Sequence, residues 1–534
     1  MATDDRYRDD VHYRGGAKTM SEYSQYAVSQ MAMNAMPPDP AFRGAAWREE
    51  WRDRLERTPP WLLEWFRQQH DGPYWRQGSL APDYGAIEAA ILQIGGWMDS
   101  YVDPVFRMHE RCSVPRRSLV GPWAHSLPDS AEPGPNVDWL HELVRFFDRW
   151  LKDVPNDVMD EPGFTWFERE YTTPQPFPAR LNGRWRATST VPHPATRHMA
   201  WHLDGGEVPL VGRLDPALAA ADGADRFAHR TTLGTRAALS WGAGPPPNGL
   251  ARDLRPDEAL VPTYTSVPLA EPLEILGIPV AVLHVSATAP MAAVVVRLTD
   301  VAPDGTSAQV SAGVLNLTHR ESDERPEPLE PGCVYEVRVP LRAAGYRFLA
   351  GHRLRVSVAS GSFPVIWPSP EPCELTIARG PATPSRVVLP VIPAAGGDGD
   401  LPPPAFRTER PDVVELGGES EEPPEWRIEE DVINGSVTVH VREAGTTDLP
   451  DGRSLFASEQ LRMTASDADP GHARMDTVVV YRWREHTFET EIVATGAFEG
   501  DGSIWDLDLG LRVTLDGEPF FDRRWQERVP RRLV

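Results

Sequence analysis

Two segments, Ile94-Gly95-Gly96-Trp97-Met98-Asp99 and Gly121-Pro122-Trp123-Ala124-His125, each place one chargeable side chain just past a short apolar run. Asp99 follows Ala89-Ala90-Ile91-Leu92-Gln93-Ile94, and His125 follows Ser118-Leu119-Val120. Short continuous apolar runs bounded by glycine read as strands buried on both faces. The stretch 102–110 between them has a helical pattern. The unit is therefore strand, Asp, helix, strand, His, and it predicts an α/β region with both side chains in loops at strand ends.

Working outward, 534 residues are too many for one ordinary core and predict several domains. A hydrophobic content of 41% and a charged content of 25% are those of a globular chain. The 54 prolines favour loops and β-rich modules over helical bundles. A net charge of -24 argues against nucleic acid or an anionic membrane as a general partner, because phosphate binding needs a basic surface. Three widely spaced cysteines, Cys112, Cys333 and Cys373, fit a reduced, cytoplasmic setting better than a disulfide framework. No apolar run approaches the length of a membrane helix, and residues 1–10 lack the apolar core of a signal peptide.

Residues 19–80 read as short helices divided by Pro37, Pro38, Pro40, Pro59 and Pro60, with Trp47, Trp51 and Leu55, then Trp61 and Trp65, at helical spacing. A small helical cap fits this pattern, although a tryptophan stripe is by itself more often core. Residues 138–151 read as an amphipathic helix with Trp139, Leu140, Leu143, Val144, Phe147, Trp150 and Leu151 on one face, expected to cover the final strand of a sheet. From about 200 to 392, short apolar runs such as 280–285, 293–298, 334–339 and 354–358 alternate with turns at Pro303-Asp304-Gly305 and Glu330-Pro331-Gly332. That spacing predicts a jelly-roll β-sandwich. Residues 393–425, rich in Pro, Gly and Glu, read as a linker, and 426–534 as a smaller C-terminal β domain.

These motifs carry a resemblance. Thr3-Asp4-Asp5-Arg6-Tyr7, Asp9-Asp10-Val11-His12-Tyr13, the Asp99 and His125 segments, Leu315-Asn316-Leu317-Thr318-His319-Arg320, Gly351-His352-Arg353-Leu354-Arg355, and Phe363-Pro364 followed by Trp367-Pro368-Ser369-Pro370 occur in one order. In this the chain, over roughly residues 3–392, resembles the CocE/NonD serine hydrolases, which include cocaine-esterase-like enzymes and X-Pro dipeptidyl peptidases. The resemblance implies a partial α/β-hydrolase sheet with a helical cap, taking in residues 1–160 (cap about 19–80). A jelly roll of the X-Pro dipeptidyl-peptidase C-terminal type over 161–392, the linker and the smaller β domain follow. It further implies that Asp99 is the acid and His125 the base of a Ser…Asp…His triad. Such a triad cleaves an ester or amide of a small molecule or peptide through an acyl-enzyme, with no cofactor and no metal, and a homodimer stays open.

The chemistry behind that role is general. A serine hydroxyl needs an imidazole to take its proton, and a carboxylate on the other ring nitrogen holds the tautomer and stabilises the charge. Taken singly, Asp99 reads better as a loop-capping residue and His125 as a core histidine; taken together, at strand ends with a helix between them, they read as the triad pair. Asp103, just before Pro104, is the runner-up acid but reads as a helix starter; His109 reads as a surface or packing residue. Asp9, Asp10 and His12 read as a solvated turn rather than a metal cluster, and His319 and His352 as structural.

The departure from the family is the nucleophile. It sits in a G-x-S-x-G strand-to-helix elbow, and no such pattern precedes Asp99. Ala238-Leu239-Ser240-Trp241-Gly242 is nearest, but lacks the first glycine and follows the histidine; Ser503 reads as a turn serine. The expectation is thus a hydrolase whose nucleophile lies upstream of Met1 or on a partner chain, inactive as these residues alone. Residues 1–160 by themselves are expected to be unstable. The competing expectation is a non-catalytic ligand-binding or interaction protein built on the β-sandwich, since fold does not decide function.

Overall fold

The computed structural model describes residues 4–10, 12–21, 23–208, 210–237, 249–408, 417–420 and 423–534. The Ser240 segment lies outside the described residues. The architecture is α/β plus β: a small parallel sheet, a two-layer sandwich and a C-terminal antiparallel meander.

The parallel sheet holds β1 (Ile91–Gly96), β2 (Arg116–Gly121) and β3 (Phe164–Glu170), with β4 (Gly183–Thr188) added antiparallel to β3. A helix at Val102–Arg111 joins β1 to β2 and packs on both strands; its face of Val102, Val105, Phe106 and Met108 is buried. The end of β3 runs on into the sandwich, where Arg169 and Glu170 pair with Tyr346 and Arg347. The sheet therefore extends past residue 160. On its other edge β1 has no strand partner among the described residues.

The second crossover helix, Trp139–Leu151, starts at Asp138, whose carboxylate accepts from His141 N at 3.0 Å. Its orientation corrects the expectation. Trp139 and Leu143 lean on the sheet, but Leu140, Val144, Phe147, Trp150 and Leu151 are exposed, whereas Glu142 and Phe146 are buried. The inner side is held by charge instead: Arg145 pairs with Glu142 at 3.2 Å and Asp157 at 2.8 Å, and Arg117 and Arg145 both bind Glu161. The apolar stripe at i, i+4, i+7 and i+11 extends beyond the sheet that these residues supply.

The sandwich core is formed by alternate residues of strands between 197 and 392, among them Trp201, Leu283, Val296, Val356 and Leu389. A buried ion cluster ties it to β3 and β4. Arg186 Nη1 binds Glu168 at 2.5 Å and Glu274 at 2.6 Å, and its Nη2 binds Asp400 at 2.7 Å. Arg186→Met leaves these carboxylates without their central cation. The expected cost is about 3–5 kcal/mol, because a broken buried pair keeps its desolvation penalty; a urea midpoint unchanged from the unaltered chain would contradict this.

The helices expected as a cap pack elsewhere. α1 (Tyr23–Asn34), α2 (Trp47–Arg57) and α3 (Trp61–Arg67) lie on one face of the C-terminal meander, whose strands run in sequence order from 436–448 to 518–530. Trp51 stacks on Phe520 at 4.4 Å, Trp47 on Phe488 at 4.7 Å and Phe66 on Phe498 at 6.2 Å. The tryptophan stripe is core. In α2, Glu49 and Glu50 open the helix and Arg54 and Arg57 close it, in the sense the helix dipole favours. The chain end also docks: the Leu533 carbonyl accepts from Asn316 Nδ2 at 2.8 Å and Thr318 Oγ1 at 2.9 Å.

Candidate active site

Two loops leave the C-terminal ends of β1 and β2 side by side, and the parallel pairing continues into them. Trp97 N donates to Gly121 O at 2.9 Å and Met98 N to Trp123 O at 3.0 Å. Glycine is required where they touch. A Cβ on Gly96 would lie 2.1 Å from the Trp123 carbonyl oxygen, and one on Gly121 would lie 2.5 Å from the Trp123 ring. Each loop is pinned by its tryptophan: Trp97 Nε1 donates to Phe167 O at 2.7 Å and Trp123 Nε1 to Pro135 O at 2.9 Å. Both indoles are buried.

This stitching brings Asp99 Oδ2 to 3.0 Å from His125 Nδ1. The other carboxylate oxygen accepts from Tyr101 N at 3.0 Å, and the Asp99 carbonyl accepts from Arg342. The carboxylate side chain is 13% exposed and the imidazole 57%. With Nδ1 engaged, Nε2 is the nitrogen left to take or give a proton. The ring lines a cavity of about 270 Å³ whose walls include Gly95, Gly96, Trp123, Leu127, Pro128 and Trp139. The hydrogen bond to Asp99 raises the His125 pKa above its ordinary value, outweighing the opposing effect of burial.

The sign of the linkage follows. A raised pKa means that the ion pair stabilises the fold fully below the unfolded pKa of about 6.5 and loses that contribution as pH rises through the folded pKa. Asp99→Asn is expected to lower the His125 pKa, read by NMR titration of its ring signals; a titration midpoint that does not move would show that the carboxylate does not govern the ring.

The other residues singled out from the sequence fall apart from this pair. Asp103 is buried and accepts from Ala343 N at 2.6 Å, so it ties the 102–111 helix to the sandwich. His109 Nδ1 meets Ser118 Oγ at 2.9 Å inside the sheet, and burial pushes its pKa down to about 4. Asp9 pairs with Arg8 at 2.9 Å, Asp10 pairs with Arg107, and His12 lies among the rings of Tyr7, Trp65 and Trp75. Asp4, Asp5 and Asp10 do converge, yet Arg107 supplies the cation there, with Nε 3.0 Å from Asp5. Burial and neighbouring carboxylates push Asp4 up to about 9. His319 binds Asp323 and His352 binds Asp300, both at 2.8 Å. Ser503 Oγ donates to Asp501 at 2.9 Å within a turn. The sequence reading missed the Arg342 contact to the Asp99 carbonyl; an arginine more than two hundred positions away carries no local signal of it.

A parallel strand–helix–strand unit with an Asp–His pair across its two loop ends, fused to a β-sandwich, is the arrangement of part of an α/β-hydrolase fold. Comparison with known proteins agrees. Residues 1–127 match the family model of X-Pro dipeptidyl-peptidase (S15 family), and residues 156–388 match that of the X-Pro dipeptidyl-peptidase C-terminal non-catalytic domain. A Mycobacterium bovis protein bearing a provisional serine-esterase name is 29% identical over 348 residues, 60% of this chain and 52% of that protein. The cocaine esterase of a Rhodococcus species is 27% identical over 377 residues, 63% of this chain and 62% of the esterase. A solved CocE/NonD family hydrolase from Staphylococcus aureus shares the fold at a TM-score of 0.54 and 14% identity, covering 73% of this chain and 66% of that one. These matches make the chain similar to the CocE/NonD-like hydrolases over most of residues 1–388. It spans about half to three-fifths of the length of these curated relatives.

Proposed function

We propose that Asp99 and His125 are the acid and base of a serine-hydrolase triad acting on an ester or amide bond of a small molecule or peptide. The observation that carries this reading is the 3.0 Å contact between Asp99 Oδ2 and His125 Nδ1, at the ends of adjacent parallel strands and beside a cavity. His125 Nε2 takes the proton of a serine hydroxyl as the oxygen attacks the carbonyl carbon. Asp99 stabilises the resulting imidazolium, which then protonates the leaving alcohol or amine. Water repeats the sequence on the acyl-enzyme and releases the acid.

The serine comes from polypeptide outside these 534 residues. Two features support this: the edge of β1 that pairs with no described strand, and the exposed stripe of Leu140, Val144, Phe147 and Leu151. Further strands beside β1 would use both, since unpaired edges and contiguous apolar surface are places where more chain docks.

The test is to treat the protein isolated from its own cells with a fluorophosphonate and to map the labelled residue. Labelling of a G-x-S-x-G serine on polypeptide outside these 534 residues, lost in His125→Ala, is the expected result. Labelling of a serine within these 534 residues would overturn the assignment, and a protein that takes no label would favour a ligand-binding role.

A further inference from the structure

On the other side of the Asp99 loop lies a separate cavity of about 100 Å³, between that loop, the end of β3 and the sandwich. Gly95, Gly96 and Asp99 face the first cavity, whereas Trp97 and Met98 line this one. Its wall also holds Arg169, which is 4% exposed. The guanidinium lies near the faces of Trp97, at 5.7 Å, and Tyr346, at 5.5 Å. Nη2 donates to the Val310 carbonyl at 3.1 Å, while Nε has no hydrogen-bond partner.

A buried arginine is ordinarily matched by a carboxylate. Among the described residues, the charged and polar groups acting on Arg169 are Tyr346 and Arg342, and no acid is among them. Glu170 reaches the same cavity, but Arg347 holds it at 2.7 Å. The Asp300 carboxylate behind Tyr346 is likewise taken, by the Tyr346 hydroxyl at 2.9 Å and His352 at 2.8 Å. The site thus carries one cation beyond what its own acids neutralise. Gln309 adds an amide to the wall, and Trp97, Met98 and Leu250 add apolar surface.

We propose that this cavity binds a small monocarboxylate. Arg169 pairs with its carboxylate and the Trp97–Met98–Leu250 side receives a short apolar tail. About 100 Å³ equals the share of roughly three waters, which suits two to four carbons. Guanidinium is the donor best matched to a planar carboxylate. The aromatic faces keep it in place when the site is empty.

The experiment uses the full 534-residue chain and propionate, with propionamide as the uncharged analogue. Binding is read by 19F line broadening of difluoroacetate and its reversal by competitor. Saturable broadening reversed by propionate and not by propionamide is expected. Arg169→Met should weaken the interaction about tenfold or more, the effect of losing a charge-assisted hydrogen bond. Since Arg169 also packs between two rings, Ala251→Trp serves as a second variant: it fills the cavity from its rim and leaves the arginine in place. It should abolish the broadening in a folded chain. Absence of saturable broadening in the unaltered chain, affinity undiminished in folded Arg169→Met, or broadening that persists in folded Ala251→Trp, would overturn the proposal.

Discussion

His125→Ala is expected to lower kcat for ester hydrolysis by the assembled enzyme by about four to six orders of magnitude, the loss seen when the base of a triad is removed. In the proposed triad the imidazole does two jobs at one nitrogen, taking the serine proton and returning it to the leaving group, so no neighbour would substitute for it. Asp99→Asn should cost about 10⁴-fold, since an amide reverses the preferred tautomer without moving the ring. Asp103→Asn separates the two candidate acids. Asp103 contacts Ala343 rather than the imidazole, so its loss should appear in stability and leave the pH profile of kcat in place. A His125→Ala enzyme within tenfold of the parent rate would remove the pair from the mechanism.

The second large effect concerns folding. A chain ended after residue 408 is expected to aggregate and to show no cooperative unfolding of its helices. Trp47, Trp51, Leu55, Leu62, Trp65 and Phe66 share one core with Val439, Met463, Ile492, Phe498, Trp505 and Leu509. Burying one large apolar side chain is worth about 1.5–3 kcal/mol. The six helical residues together therefore approach the ~5–15 kcal/mol that holds a whole domain. Helices of 12, 11 and 7 residues have no independent stability to fall back on. Trp51→Ala tests the same packing on the full chain and should cost about 3–5 kcal/mol in a urea titration. Its indole both stacks on Phe520 and donates to Ala35 O at 2.9 Å. A soluble 408-residue chain with the circular dichroism and melting of its helices intact would refute this account.

The two parts of the molecule meet at the N-terminal segment and the chain end. Arg8, 2% exposed, gives its Nε and Nη2 to the Gln69 carbonyl and its Nη1 to Asp323 of the sandwich at 3.2 Å. Gln69 in turn donates to Pro530 O at 2.8 Å and accepts from Arg532 N at 2.7 Å. These polar links hold the helix-and-meander unit against the sandwich, alongside the docking of Leu533.

Sequence alone determined the local units. A glycine-bounded apolar run makes a strand, a helical pattern between two such runs makes a crossover, and this order sends the residues after each strand to the same end of the sheet. The placement of Asp99 and His125 in neighbouring loops was therefore legible, as were the tryptophan repeat of α2 and the many-stranded character of the rest, because each depends on periods of two to four residues. Tertiary structure decided what every apolar face meets. Periodicity marked 138–151 as amphipathic but not that Leu140, Val144 and Phe147 would face solvent while Glu142 turned inward. It marked 47–66 as core-forming, but not that the core would be completed by strands some four hundred residues later. The tether at Asp103 and the unmatched charge of Arg169 arise from contacts far apart in the chain. Hydrophobic burial is non-directional, so a stripe specifies that it must be covered and leaves the covering surface to whichever element the fold brings near.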